Sequence, residues 1–120
     1  MRDFDHRQLD AYRTALDFVV HADQLIQNLP PGRGALADQL RRASMSICLN
    51  TAEGAGGFSP AEKARFYRLA RRSATESAGA LDICRSLHLS DESALDAGDD
   101  LLRRVVSMLT KMIMRAAPCK

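Results

Sequence analysis

The sequence predicts an all-α protein, an antiparallel up-and-down four-helix bundle. Three observations carry this reading. Ala, Leu, Arg and Asp dominate while β-branched runs are scarce, a balance that favours helix over sheet. Apolar residues recur at helical spacing through four successive segments. Short Pro-, Gly- or Ser-containing breaks separate those segments, so consecutive helices must run antiparallel. The 120 residues suit a single domain, 1–120, with no internal repeat or low-complexity linker.

The first helix is expected from Asp5 or His6 to Leu29, with Asp3 and Asp5 near its positive end. Its apolar face reads as Leu9, Tyr12, Ala15, Leu16, Val19, Val20 and Ile26. Pro30, Pro31, Gly32 and Gly34 then break it.

The second helix, Leu36 to Gly54, carries an apolar stripe of Leu36, Leu40, Ala43 and Ile47, continued by Asn50. Beside it runs a polar stripe of Gln39, Arg42, Ser46 and Glu53. Met45, Cys48 and Leu49 point elsewhere, so this helix has little surface suited to water, and those three residues are expected at a contact between subunits. Gly54 reads as its C′ residue.

Ser59-Pro60-Ala61-Glu62 opens the third helix as a capping box with proline at the first helical position. Its buried face reads as Phe66, Leu69, Ala70, Ser73, Ser77, Ala80, Leu81, Cys84 and Leu87, mostly small residues that allow tight packing on helix two. His88–Ser93 is a turn offering Ser90 or Asp91 as the next cap. The fourth helix continues from about Asp91 through Met114, weakened at Gly98, with Leu95, Leu102, Val105, Leu109 and Met112 as its stripe. The tail from Ala116 to Lys120 is expected to fray.

No apolar run approaches the ~20 residues needed to span a bilayer. The opening MRDFDHRQLD is too polar for a secretory signal, which makes a cytoplasmic bacterial protein the simplest expectation. Cys48, Cys84 and Cys119 form neither a CxxC pair nor a disulfide framework. Cys48 and Cys84 read as small buried hydrophobes, Cys119 as an exposed terminal thiol. His6, His21 and His88 lack metal-ligand spacing, and Gly54-Ala55-Gly56-Gly57 lacks the Lys-Ser/Thr of a phosphate loop. No metal or cofactor is expected.

Arg42, Ser46, Asn50, Glu53, Ser73 and Glu76 lie beside the buried stripes. They can be an active site built on a carboxylate pair, or a hydrogen-bond network that fixes helix register. No nucleophile or ligand set accompanies the carboxylates, which favours the network and a protein that is not an enzyme.

The net charge of +2 is uneven: −2 over residues 1–32, +5 over 33–72 and −1 over 73–120. Within the basic third, Arg65, Arg68 and Arg72 share one helical sector and Arg71 points elsewhere. Together with Arg41 and Arg42 they can grip RNA or DNA phosphates. The same stripe can equally be a solvated face, or pair with acids of another subunit. Few aromatics accompany it, which disfavours base stacking.

The block Leu36, Gln39, Leu40, Arg41, Arg42, Ala43, Ser46, Ile47, Asn50, Ala52, Glu53, Gly54, followed by Arg65, Phe66, Ala70, Ser73 and Glu76, resembles the four helix bundle protein family, also called ribosomal-RNA intervening-sequence proteins. Members are encoded within insertions in large-subunit ribosomal RNA genes or as separate bacterial genes. The resemblance implies a four-helix bundle assembled as a pentameric ring. A distant relative, the accessory variability determinant of diversity-generating retroelements, is a basic nucleic-acid binder that works with a reverse transcriptase. This chain departs from the family pattern at Thr51, Gly57, Lys63 and Arg72. Gly57 removes a loop arginine, while Arg72 adds to the basic helix face. Two functions follow as expectations: a ring-forming module that binds nucleic-acid phosphates, or a structural module that docks a protein partner.

Overall fold

The computed structural model describes residues 3–116. Ala116, expected to begin the frayed tail, is the last residue of the final helix, while Cys119 and the rest of that tail, residues 117–120, lie outside the described residues. A single 3-10 turn, Asp5–Gln8, precedes four helices: α1 (Asp10–Gln27), α2 (Gly34–Ala55), α3 (Pro60–Ser86) and α4 (Glu92–Ala116). Each helix packs on its neighbours in sequence, and α4 returns to α1, closing an antiparallel four-helix bundle. Phe18, Leu40, Ile47, Leu81, Leu95, Val105 and Leu109 fill its centre.

The first helix departs from the sequence reading in two ways. Leu9 is extended, with φ −86° and ψ 127°, so the α-helix begins only at Asp10. Its buried stripe is Ala11, Ala15, Phe18, Ala22 and Leu25, whereas Leu16 and Val20 are 42% and 60% exposed. Alanines let α1 lie close to its neighbours, so burial follows the narrow approach rather than side-chain size. Phe18 supplies the bulk.

α2 also runs past its expected stop. Gly54 is helical and buried, with the cap at Gly56. A Cβ at Gly54 would lie 2.5 Å from Cε1 of Tyr67, so glycine is there to admit the ring of α3. Lys63 donates to the carbonyls of Ala55 (2.8 Å) and Gly54 (3.3 Å), satisfying the end of α2. Thr51 is fully buried, and its hydroxyl donates to the Ile47 carbonyl at 2.7 Å.

At the start of α3 the Ser59 side chain accepts from the Glu62 amide at 3.1 Å. The reciprocal bond of a capping box does not form among the described residues. Phe66 and Leu69 are half-buried and Leu87 exposed, so the small residues carry the α3 interface. The helix ends in a Schellman motif: Leu89 donates to Cys84 and His88 to Arg85 through backbone bonds, with His88 left-handed at φ 54°. Asp91 then caps α4, accepting from the Ala94 amide and the Ser93 hydroxyl. Gly98 does not interrupt α4; it gives room to Leu81 and to His21, whose Nε2 donates to the Ala94 carbonyl at 2.6 Å.

Two glycine replacements test this packing. Gly54→Ala is expected to lower the thermal midpoint, because overpacking costs about 1–3 kcal/mol and exceeds the helix-propensity gain. Gly79→Ala, where a Cβ meets nothing within 4 Å, should raise stability by about 0.5–1 kcal/mol. Thermal denaturation followed by circular dichroism measures both.

Candidate nucleic-acid interface

The polar side chains expected at the α2–α3 seam divide by size. Ser73 is buried, while Ser46 and Asn50 are half-buried. Ser73 Oγ donates to Ser46 Oγ at 2.8 Å, and Asn50 Nδ2 donates to the same oxygen at 2.9 Å and to the Ser46 carbonyl at 3.0 Å. This three-residue cluster joins the two helices. Glu53, Glu76 and Arg42 do not enter it, and all three are exposed, which corrects the expectation that they share a buried or half-buried network. The seam is too narrow for long side chains, and a carboxylate left there would lose its water. Glu76 instead accepts from Gln39 Nε2 at 3.0 Å on the rim. Arg42 borders the same shallow pocket of about 250 Å³. Glu53 faces a different cleft.

All five arginines singled out in the sequence are exposed. Arg65, Arg68 and Arg72 occupy the outer face of α3, and Arg42 lies at the α2 rim of that side. None of these four makes an ion pair among the described residues. Arg65 stacks its guanidinium 4.9 Å above the Phe66 ring. Arg41 stands apart: it is turned about 100° from Arg42 on the helix, and it pairs with Asp38 at 2.8 Å. Arg71 is half-buried and donates to the Thr110 hydroxyl at 3.3 Å.

Arg85 shows what a committed arginine looks like here. It contacts Glu92 at 2.7 Å, Asp99 at 2.9 Å, Asp96 at 3.2 Å and Asp82 at 3.6 Å. Hydrogen bonds to Glu92 and Asp99 hold its proton well above the ordinary arginine range. The clamp ties the end of α3 to the start of α4.

A second basic field went unread in the sequence. Arg103, Arg104, Lys111 and Arg115 follow one another on α4, with no acid between residues 101 and 116. Averaging charge over 73–120 cancelled them against Asp91, Glu92, Asp96, Asp99 and Asp100; a window of one helix half would have separated the two.

Of the three residues expected at a subunit contact, Met45 and Leu49 are 43% and 66% exposed. Cys48 is buried in the core of the bundle, as its reading as a small hydrophobe expects, which corrects its placement at a subunit contact. Leu16 and Val20 of α1 extend the exposed apolar surface on that helix pair. A cleft of about 660 Å³ gathers Phe4, His6 and Phe58 with Asp3, Glu53 and Glu62. Its lining offers carboxylates but no serine, cysteine or lysine nucleophile. Among the described residues no group of three or more His, Cys, Asp or Glu is placed to hold a metal ion. No helix among them is long and apolar enough to cross a membrane.

With this geometry in hand, comparison with known proteins is decisive for family. A family model described as 23S rRNA-intervening sequence protein matches residues 7–111. The chain belongs to that family. No curated protein matches it. Among solved structures it is similar to a protein of unknown function from the S23 ribosomal protein family of Bacteroides thetaiotaomicron, with 18% identity and a TM-score of 0.80. The similarity covers 86% of this chain and 97% of that one, and at this identity it speaks for the four-helix fold alone. Neither description names an enzymatic activity.

In this family member, burial pushes the Cys48 thiol from its ordinary value near 9.0 up to about 11, and raises that of Cys84. Both thiols should resist alkylation at neutral pH until the chain unfolds, as measured with a thiol reagent on a Cys119→Ser variant. Because the folded state holds the Cys48 proton more tightly, its contribution to stability is complete below about pH 9 and lost as pH rises through about 11.

Proposed function

We propose that the protein is a non-catalytic, self-associating bundle of the bacterial cytoplasm whose α2–α3 face binds nucleic-acid phosphates without reading bases. The observation that carries this is the charge state of that face. Arg42, Arg65, Arg68 and Arg72 have no carboxylate partner among the described residues, whereas Arg7, Arg41 and Arg85 are each paired within 3 Å. Unpaired guanidiniums on rigid helices are suited to phosphate oxygens. Only Phe66 accompanies the stripe, and Arg65 already covers its ring, so contacts are electrostatic rather than stacked.

Self-association rests on the exposed Met45, Leu49, Leu16 and Val20 of α1 and α2. A cyclic pentamer, as the family resemblance implies, would repeat the arginine face around a ring and add weak contacts through multivalency. A second reading, a protein-docking module without nucleic acid, is favoured by the fully exposed Phe58 beside Phe4 at the acidic cleft.

Binding of RNA and duplex DNA, measured against salt concentration, separates the two. Wild type is expected to bind both at low salt and to lose affinity steeply as salt rises. An Arg65/Arg68/Arg72→Ala variant should weaken binding and reduce the salt slope by about 3. No wild-type binding at low salt, or an unchanged variant, would hand the function to the protein-docking reading. Separately, Met45→Lys/Leu49→Lys should shift the sedimentation coefficient towards the monomer while leaving helicity intact. A wild type that sediments as a monomer at micromolar concentration would remove the ring.

A further inference from the structure

The basic half of α4 borders a cleft of about 480 Å³ between α1 and α4. Arg103, Arg104 and Ser107 line it from α4, Arg13 and Thr14 from α1. Arg13 is anchored there by donating from Nε to the Arg7 carbonyl at 3.2 Å. Its Nη1 stands 3.7 Å from the carboxylate of Asp10, which also lines the cleft. Three guanidiniums therefore face one distant carboxylate.

Thr14 is the unusual member. It is 5% exposed, yet its hydroxyl makes no hydrogen bond among the described residues. Other buried hydroxyls in this chain turn back onto their own helix: Thr51 to Ile47 at 2.7 Å, Ser77 to Ser73 at 2.9 Å, Ser44 to Arg41 at 3.0 Å. A hydroxyl with no intramolecular partner at the wall of a cationic cleft is available to an anion inside it.

The geometry points to an oxyanion site in which the Thr14 and Ser107 hydroxyls and the Arg13, Arg103 and Arg104 guanidiniums hold a phosphate group. A carboxylate offers two oxygens to this many donors, and a phosphate offers more. The site extends the phosphate-binding reading to the α1–α4 face, and it rests on residues that the α2–α3 face does not use.

Amide chemical shifts of the full chain, titrated with inorganic phosphate at constant ionic strength and then with a short single-stranded RNA, test it. Wild type should show saturable shifts at Thr14 and Ser107. Thr14→Val should weaken phosphate binding about tenfold, the loss of one hydrogen bond to a charged acceptor. Thr14→Ser should retain the affinity, and Arg103→Gln/Arg104→Gln should abolish it. RNA that displaces phosphate identifies a nucleic-acid strand as the source; RNA that does not leaves a site for a small phosphate. Shifts equal to those in chloride, or a Thr14→Val variant that binds like wild type with its helicity intact, would overturn the assignment. Response to RNA at Ser46 and Ser73 with a silent cleft overturns this site alone. A responding cleft with a silent α2–α3 face overturns only the earlier reading.

Discussion

The distance between α2 and α3 governs the rest of this molecule. Gly54 leaves no room for even a methyl group against Tyr67. Ala43, Ala70, Ser73, Ser77 and Ala80 continue the contact with small side chains. Helices packed on such residues approach closely, and only hydroxyls and a half-buried amide fit between them. Long polar side chains on those helices have nowhere to go but outward. The exposed arginines of α3 and the buried serine cluster are thus two results of one steric constraint.

Charge is sorted by a second rule, proximity to carboxylates. Arg7, Arg13 and Arg41 find aspartates three or four residues before them, and Arg85 finds four acids around the α3–α4 turn. Among the arginines without such neighbours, Arg42, Arg65, Arg68 and Arg72 lie on α2–α3, and Arg103 and Arg104 lie on α4 beside α1. Surface ion pairs contribute little to stability individually, but they decide which cations remain available to a ligand.

The helix pattern was readable because Pro-Gly breaks, the Ser59 cap and four apolar periodicities agree. What escaped the sequence has a common cause. Leu16 and Val20 look like a core stripe, and Ala11 and Ala22 look like filler, because hydropathy rewards bulk while close packing rewards its absence. Gly54 reads as a stop for the same reason: nothing local announces that Tyr67 will need its space. Glu53 and Glu76 sit beside apolar stripes on a helical wheel, yet the wheel does not show how narrow the neighbouring seam is. The arginine stripe was legible from spacing alone. The α4 field was hidden by a charge average taken across both of its halves.

α4 is acidic in its first half and basic in its second, with charge signs that complement the backbone dipole at both ends. Its 25 residues span about 37 Å, several times the screening length of about 8 Å at physiological ionic strength. A phosphate group near one end of this helix is therefore screened from the other. Approach by the basic end is attractive and approach by the acidic end repulsive, so the field exerts a torque as well as a pull. Orientation is selected in the final nanometre before contact, and encounters that begin acidic end first must rotate or separate.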